Sequence, residues 1–419
     1  MEKFKNRNDL LNEDVLKLRL VEKLFLQRCR QFGYQEIKTA SIEPLHIFTA
    51  TDAMALEVLK KVYSFIDWSG WGGERVVLRP DCTISAARYY LANLAERKQA
   101  KLCYMENHFR LSDTGQDLSE RWQFGIEHIG EGSSITDVEV IFIAADTLKA
   151  SGTDKFYLHL SFPAIIIECV NSAFPQYNYQ KALDWIKKGE YESLRTEGGA
   201  QEPYLEVLLR LLQFRGKNAA YLANLKTEFP DSDRIIQEHL ERFYQICTHL
   251  DKLGYKYEIN FSLSKDFEYY TGMQFEVHST SQKRSRREVL CAGGRYDNLI
   301  SMLGELDVKV PSVGFALYAK NLLPLINIQK NRAQRFGVVV RNMTGKNITT
   351  GQRLCNQMEE LGFDCSISFL EIPQDKLSNY GLVLEVDHEK YEDGYAFLHC
   401  NQFGRALLKQ LFKRGCVNE

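Results

Sequence analysis

The chain carries ten cysteines but no C-x-x-C pair: Cys29, Cys82, Cys103, Cys169, Cys247, Cys291, Cys355, Cys365, Cys400 and Cys416 are scattered. That spacing signals neither a zinc knuckle nor a thioredoxin-type site. Free, mostly buried thiols in a reducing compartment are expected. The nine histidines lack H-x-x-x-H and H-E-x-x-H spacing, so no metal site is signalled. Neither a G-x-x-x-x-G-K-[ST] loop nor a dinucleotide fingerprint occurs, which argues against an independent nucleotide fold and leaves no cofactor to expect. Long apolar runs are missing. Ala164-Ile165-Ile166-Ile167 is among the longest, far short of the roughly 20 residues that span a bilayer. Met1-Glu2-Lys3-Phe4-Lys5-Asn6-Arg7 is polar with no apolar stretch behind it, unlike a secretory signal. A cytoplasmic protein without a membrane association is expected. Charge of one sign is missing too: 53 basic residues face 55 acidic ones, a net charge of −2, so no global field favours nucleic acid. Repeats and low-complexity tracts are not evident.

What is present is an ordinary globular composition, 44% hydrophobic and 26% charged. At about 150 residues per domain, 419 residues predict two or three domains. Leu18, Val21, Leu24, Phe25, Cys29 and Phe32 recur at helical spacing and predict a helix over 14–32, stopped by Gly33. Strands are predicted at 34–37, 62–67, 75–78, 102–110 and 121–130, with a turn at Ser69 to Gly73 and a helix over 137–150. Residues 165–250 are helical in pattern and read as an insertion between strands. Strands return at 257–263, 273–278 and 288–291, Gly293-Gly294-Arg295-Tyr296-Asp297 ends that run, and Val313 to Leu323 reads as a closing helix. The polar stretch 328–335 is the expected linker. Beyond it, Val338 to Val340, Leu382 to Leu384 and Ala396 to Leu398 read as strands, with helices at 350–361 and 405–412. That alternation argues a small α/β unit over 333–419.

The residues that carry chemistry are ordered along the first part. Leu78-Arg79-Pro80-Asp81-Cys82-Thr83 is followed by Phe109-Arg110, by Gln123-Phe124-Gly125-Ile126-Glu127, and by Phe267-Glu268-Tyr269-Tyr270-Thr271-Gly272 with Phe275-Glu276. Carboxylates hold an α-ammonium, arginine holds a carboxylate or phosphate, and amide and hydroxyl groups complete the hydrogen bonds. Such a set suits a pocket for an amino acid. Singly, each piece has a plainer explanation: tyrosine pairs are mostly core and glycine pairs mostly turns or bulges. His108 and His128, near the pocket strands, read as packed neighbours. Lys283-Arg284-Ser285-Arg286-Arg287 reads as a solvated loop, with an acidic partner surface or a phosphorylated ligand as the functional alternatives.

Taken in order, these segments resemble the histidyl-tRNA synthetase family of class II synthetases. The likeness covers residues 1 to about 327, a core which that family shares with its paralogues, the regulatory subunits of ATP phosphoribosyltransferase. The resemblance implies an α+β fold: a six- or seven-stranded antiparallel sheet flanked by helices, with the helical insertion and a small C-terminal α/β domain. It implies dimerisation through that core. By the same resemblance Asp81 and Thr83 would contact the ligand's amino group, and Arg110 a carboxylate or α-phosphate. Gln123 and Glu127 would face the amino group or ring, and Tyr269 and Tyr270 would line an imidazole pocket. Ala292 to Asp297 and Val313 to Ala316 resemble the closing strand and the motif 3 segment.

Departures from the family pattern bear on activity. Asn321 stands where motif 3 carries the arginine that clamps the ATP γ-phosphate, and an amide cannot replace a guanidinium fork. Tyr318 replaces a small residue in that segment. Lys265 stands for an arginine that assists adenylate formation, and Ala40 for the usual proline of motif 1. The motif 2 loop, Leu111 to Glu120, has no basic residue to meet phosphates. The amino-acid positions look kept and the phosphate positions lost. A non-catalytic regulatory subunit in histidine biosynthesis is therefore expected, with histidine as ligand. Its partner would be a short-form catalytic subunit of ATP phosphoribosyltransferase, in a hetero-oligomer built on a homodimer. The C-terminal unit shows no aromatic-and-basic stripe, so tRNA recognition is not expected. The alternatives are a divergent histidyl-tRNA synthetase and a stand-alone synthetase-like ligase, both of which need an intact ATP site.

Overall fold

The computed structural model describes residues 9–49, 62–67, 73–111, 118–174, 178–196, 204–227, 229, 234–263, 269–280, 288–327, 335–342, 344–360, 365–378, 380–402 and 404–405. Outside them lie most of the Ser69 to Gly73 turn, the motif 2 loop tip, Lys265, Phe267 and Glu268. The 283–287 charge run, nearly all of the linker, most of the final helix and Cys416 lie outside them as well. The chain divides into two compact units, Met1–Ile326 and Asn327–Glu419.

The first unit is built on a mixed sheet of eight strands. These are β1 (Gln35–Glu36), β5 (Ala100–Leu111), β6 (Leu118–Ile129), β7 (Phe156–Ser161), β8 (Tyr257–Ile259), β9 (Gln274–Ser279), β10 (Val289–Arg295) and β11 (Ser312–Tyr318). Their order is β1-β5-β6-β11-β10-β9-β7-β8. The inner pairings are antiparallel, as expected, but the outermost pairs β1–β5 and β7–β8 are parallel, and the sheet is wider than the six or seven strands expected. A small antiparallel sheet, β2-β4-β3, comes from Ile42–Pro44 (β2), Ser64–Asp67 (β3) and Glu74–Leu78 (β4).

Helices cover this sheet. Helix α1 (Asn12–Gln31) buries Leu18, Val21, Phe25 and Cys29, one stripe at 3–4 residue spacing, with Glu13 and Asp14 in its first turn and Arg28 and Arg30 in its last, the arrangement a helix dipole favours. It ends at Gly33, whose φ of 79° suits a residue without a Cβ. Helix α2 (Cys82–Asn93) starts beside the cavity described below. Helix α3 (Ser134–Ala150) buries ten of its residues. The helical insertion runs from Pro163 to Lys252 as successive helices, the last of them strongly amphipathic.

Two segments differ from expectation. Ser312–Tyr318 is a strand, not a helix, and helical backbone follows only at Ala319–Leu322. Its run Val313 to Leu317 lies centrally in the sheet and is nearly all buried, so it lacks the alternation that marks a half-exposed strand. Gly293 and Gly294 continue β10 instead of turning it. A Cβ on Gly293 would collide with Gly314 O and stand 2.6 Å from Phe315 Cβ of the neighbouring β11, and one on Gly294 2.7 Å from the Tyr270 ring, so the first glycine lets β11 approach and the second makes room for that ring.

The second unit is a four-stranded sheet, β13-β12-β14-β15, from Arg335–Val340 (β12), Cys365–Ser368 (β13), Tyr380–Val386 (β14) and Tyr395–Cys400 (β15). The first three strands are parallel, and a helix over Gly345–Glu360 packs on them around Phe336, Val338, Leu354, Met358 and Leu384. Here the cysteine expectation is corrected: Cys355 and Cys365 form a disulfide joining the helix to β13. A spacing of ten residues gives no hint of this, because only the turn from helix to strand brings the two together. Among the described residues the other seven cysteines form no disulfide, and six of them are buried.

Candidate functional site

Over the centre of the large sheet lies a cavity of about 370 Å³. Strands β6, β10 and β11 form its floor and the start of α2 one wall. All seven residues singled out from the sequence, Asp81, Thr83, Arg110, Gln123, Glu127, Tyr269 and Tyr270, line it.

The register explains how. On β6 the residues Gln123, Gly125 and Glu127 point the same way, because side chains alternate along a strand. Gly125 pairs with Tyr104 of β5 and Ala316 of β11, and Glu127 with Leu102 and Gly314. Glycine at 125 lets the Tyr104 ring lie across β6, and glycine at 314 leaves space for the Glu127 carboxylate. A Cβ at either position would collide with that group. The Tyr104 hydroxyl donates to Glu127 Oε1 at 3.0 Å, and the Tyr296 hydroxyl donates to Oε2. Tyr296 stacks on Tyr269 with ring centroids 5.5 Å apart, and Tyr270 meets Tyr269 edge-on at 4.9 Å. An aromatic wall thus surrounds one acid.

Burial dominates that acid's electrostatics. Glu127 is 1% exposed, and loss of water raises its pKa from 4.5 to about 8, although the Tyr296, Thr83 and Tyr104 hydroxyls partly favour the ionised form. At neutral pH it is chiefly a carboxylic acid, able to donate one hydrogen bond and accept others. The phenols of Tyr104, Tyr269 and Tyr296 are pushed well up by burial and by the carboxyl groups nearby.

Asp81 precedes α2 in an extended conformation and caps it, its side chain accepting from Ile84 N at 3.0 Å. Its Oδ2 lies 3.8 Å from Arg110 Nη2. Arg110 is fixed by a hydrogen bond from its Nε to Pro80 O at 2.7 Å, which ties the end of β5 to the start of α2. Thr83 Oγ1 is 3.5 Å from the Tyr104 hydroxyl. An acid and an arginine therefore share one end of α2, with an amide, a hydroxyl and a neutral carboxyl beside them. That arrangement can hold a zwitterion and one further hydrogen-bonding group.

Arg79 does something else. It is 3% exposed and bonds Thr39, the Ala40 carbonyl, Asn107 and, at 2.5 Å, Glu106. It fastens β4 to β5 and has no part in the cavity lining. Tyr104 and Tyr296 were not singled out from the sequence. Tyr104 is one of 21 tyrosines, and only the pairing of Tyr104 with Gly125 reveals it. His108, expected to be a packed neighbour, lines the cavity: it is 3% exposed, and burial with the nearby Arg110, Arg121 and Arg79 lowers its pKa to about 3. Asn321 and Tyr318 line the far end, and the Asn321 amide donates to Val289 O at 2.8 Å. Among the described residues no group of three or more His, Cys, Asp or Glu is placed to hold a metal, and no helix is long and apolar enough to cross a membrane.

Residues 6–322 match the family model for histidyl-tRNA synthetase. An ATP phosphoribosyltransferase regulatory subunit from Dehalococcoides mccartyi is 36% identical over 367 residues, 87% of this chain and 87% of that protein. A histidine–tRNA ligase from Methanosarcina acetivorans is 33% identical over 316 residues, 74% of this chain and 71% of the ligase. Among solved structures, one titled an ATP phosphoribosyltransferase regulatory subunit/histidyl-tRNA synthetase from Bacillus halodurans superposes with a TM-score of 0.72 at 20% identity, covering 91% of this chain and 98% of that one. It shares the fold.

Proposed function

The chain belongs to the histidyl-tRNA synthetase family, and we propose that within it this protein is a non-catalytic regulatory subunit of ATP phosphoribosyltransferase that binds histidine. The observation that carries the ligand is the neutral, tyrosine-bound Glu127 beside Asp81 and Arg110. Asp81, Thr83 and Gln123 would receive the α-ammonium, and Arg110 the carboxylate. Glu127, walled by Tyr269 and Tyr270, would hydrogen-bond the imidazole. A buried acid that can both donate and accept suits a ring with one donor and one acceptor nitrogen. A site built for such bonds discriminates strongly against isosteres that cannot make them.

The reading as a regulator is supported by the 36% identical relatives that bear that name, and by Asn321, whose amide is engaged with Val289 O instead of reaching a phosphate. Adenylate formation depends on stabilising developing phosphate charge, which a neutral amide does not do. The protein would act on a short-form catalytic subunit, as a homodimer within a hetero-oligomer. Linkage makes the coupling mutual: whatever histidine does to affinity for the partner, the partner does to affinity for histidine.

Calorimetric titration with histidine, with and without ATP and magnesium, followed by histidine-dependent pyrophosphate exchange, tests this. Binding without exchange is expected. Exchange would make the chain an active ligase. In the assembled complex, Glu127→Ala is expected to reduce the inhibition by histidine while the protein stays folded; unchanged inhibition would remove Glu127 from the site.

A further inference from the structure

The aromatic wall around Glu127 is backed by a buried ion pair on the other face of the sheet. Register puts it there. Arg295 of β10 pairs with Val313 of β11, and Val313 with His128 of β6, so Arg295 points away from the side that Glu127 faces. Its guanidinium meets Asp137 of α3: Nε donates to Oδ1 at 2.9 Å, and Nη2 lies 2.8 Å from the same oxygen. Arg295 is 1% exposed and Asp137 0%. The remaining N–H groups reach the Glu131 carbonyl, Asp297 and Thr136, so all five donors of the guanidinium are used. Desolvation offsets much of what a pair buried this deeply gains, which makes it a weak source of stability and leaves geometry as what it can fix.

What Arg295 fixes is the wall. The next residue, Tyr296, donates to Glu127 Oε2. The Arg295 carbonyl accepts from Thr271 N at 2.8 Å, and the Thr271 hydroxyl accepts from Asp297 N at 2.8 Å, which closes the chain after Tyr269 and Tyr270 onto the end of β10. Gly272 lies against the Arg295 stem, where a Cβ would stand 3.0 Å from Arg295 Cδ. Tyr296 and the Tyr269–Tyr270 pair thus rest on one arginine. Asp137 has a second partner as well. Its Oδ2 accepts from Arg242 Nη2 at 2.9 Å and from Nε at 3.3 Å, and Arg242 belongs to the last helix of the insertion, Arg234–Lys252. The Arg242 side chain is 27% exposed. One carboxylate is therefore held between an arginine behind the pocket and an arginine at the surface.

We propose that Asp137 is a positioning residue for the amino-acid end of the cavity: it holds Arg295, and with it Tyr296, against Glu127, and Arg242 makes that hold depend on the helical insertion. Removing Arg242 strips a buried oxygen of its donor, a costly state that turns the carboxylate and draws Arg295 with it. Glu127 reports the movement, because the hydrogen bond from the Tyr296 hydroxyl favours its ionised form. Thr83, Tyr104 and Asp81 also act on that carboxyl, and the substitution leaves all three in place. That histidine feels the change rests on the reading above; the positioning of Glu127 does not.

The test follows the carboxylic-acid carbonyl band of Glu127 by infrared spectroscopy as pH is raised, in the full chain, with Glu127→Gln identifying the band. Histidine affinity by calorimetry and thermal melting are measured on the same samples. Arg242→Ala is expected to move the Glu127 titration upward from about 8 and to weaken histidine binding about fivefold, an effect within the range seen for residues remote from a ligand. Arg242→Lys keeps a charged donor for Oδ2 and is expected to restore part of both. Asp137→Asn should move the titration further; where that variant does not fold, Arg242→Ala decides alone. An unmoved Glu127 titration, whatever happens to the melting temperature or to histidine affinity, makes Asp137 a merely structural residue and overturns the proposal. A moved titration in a chain that does not bind histidine upholds the positioning and removes the amino-acid reading. Histidine binding that is equal in wild type and Arg242→Ala, with the titration unmoved, leaves that reading standing and the positioning refuted.

Discussion

Glu127 ties stability to pH in one residue. Its pKa is raised from 4.5 to about 8 by burial. Between those values the unfolded chain has released the proton and the folded one retains it, so the folded state binds more protons and stability falls as pH rises. The slope reaches at most about 1.4 kcal/mol per pH unit, one proton's worth. Glu127→Gln keeps hydrogen-bonding atoms for Tyr104 and Tyr296 but does not titrate. Its urea midpoint is expected to vary less than wild type between pH 5 and 8, with the variant gaining on wild type toward pH 8. A parallel pair of curves would mean that Glu127 is ionised throughout. Gly314 is the complementary residue. Gly314→Ala would drive a methyl group into the Glu127 carboxylate and the Ile126 carbonyl. Overpacking of this kind costs about 1–3 kcal/mol, and the variant is expected to melt lower and to lose histidine binding, measured by thermal denaturation and calorimetry. Substitution without effect on either would show that the floor of the cavity yields.

At the scale of elements, the hairpin β5–β6 was legible as a strand pair, because its apolar spacing is a local signal. Strand β11 was not. Buried on both faces, Val313 to Leu317 carries no period, and a continuous apolar run reads equally as helix. The candidate residues were legible by type and order, and the sheet gathers all seven around one cavity. Their supports, Tyr104 and Tyr296, were hidden because strand register, not sequence distance, brings residues 104, 127 and 296 together. Arg79 was the opposite case, a conspicuous arginine that turns out to fasten β4 to β5. The helical turn after β11 bears on activity. Asn321 anchors it to β10 through Val289 O. Asn321→Arg restores the expected guanidinium but removes that anchor, and it leaves the motif 2 loop without cations. Pyrophosphate exchange is therefore expected to remain at background in this variant. Measurable exchange from the single change would locate the whole loss of chemistry at residue 321.

The whole molecule consists of two units with separate cores. Phe336, Val338, Leu354, Met358 and Leu384 belong to one cluster confined to Asn327–Glu419, while the cavity and its supports belong to Met1–Ile326. Units with separate cores need not unfold together, and a single melting temperature then has no simple meaning. The Cys355–Cys365 disulfide offers a way to tell them apart, since it constrains only the second unit. A cross-link between residues ten apart removes chain entropy from the unfolded state and adds about 2–4 kcal/mol to the unit that contains it. Reduction with dithiothreitol, or Cys355→Ser, is accordingly expected to lower a transition belonging to the second unit by several degrees in calorimetry. The histidine affinity proposed for the cavity of the first unit should stay the same. Both responses must be read from one sample: a fall in histidine affinity on reduction would mean that the second unit is energetically coupled to the cavity, and the disulfide would then belong to the regulation of the site.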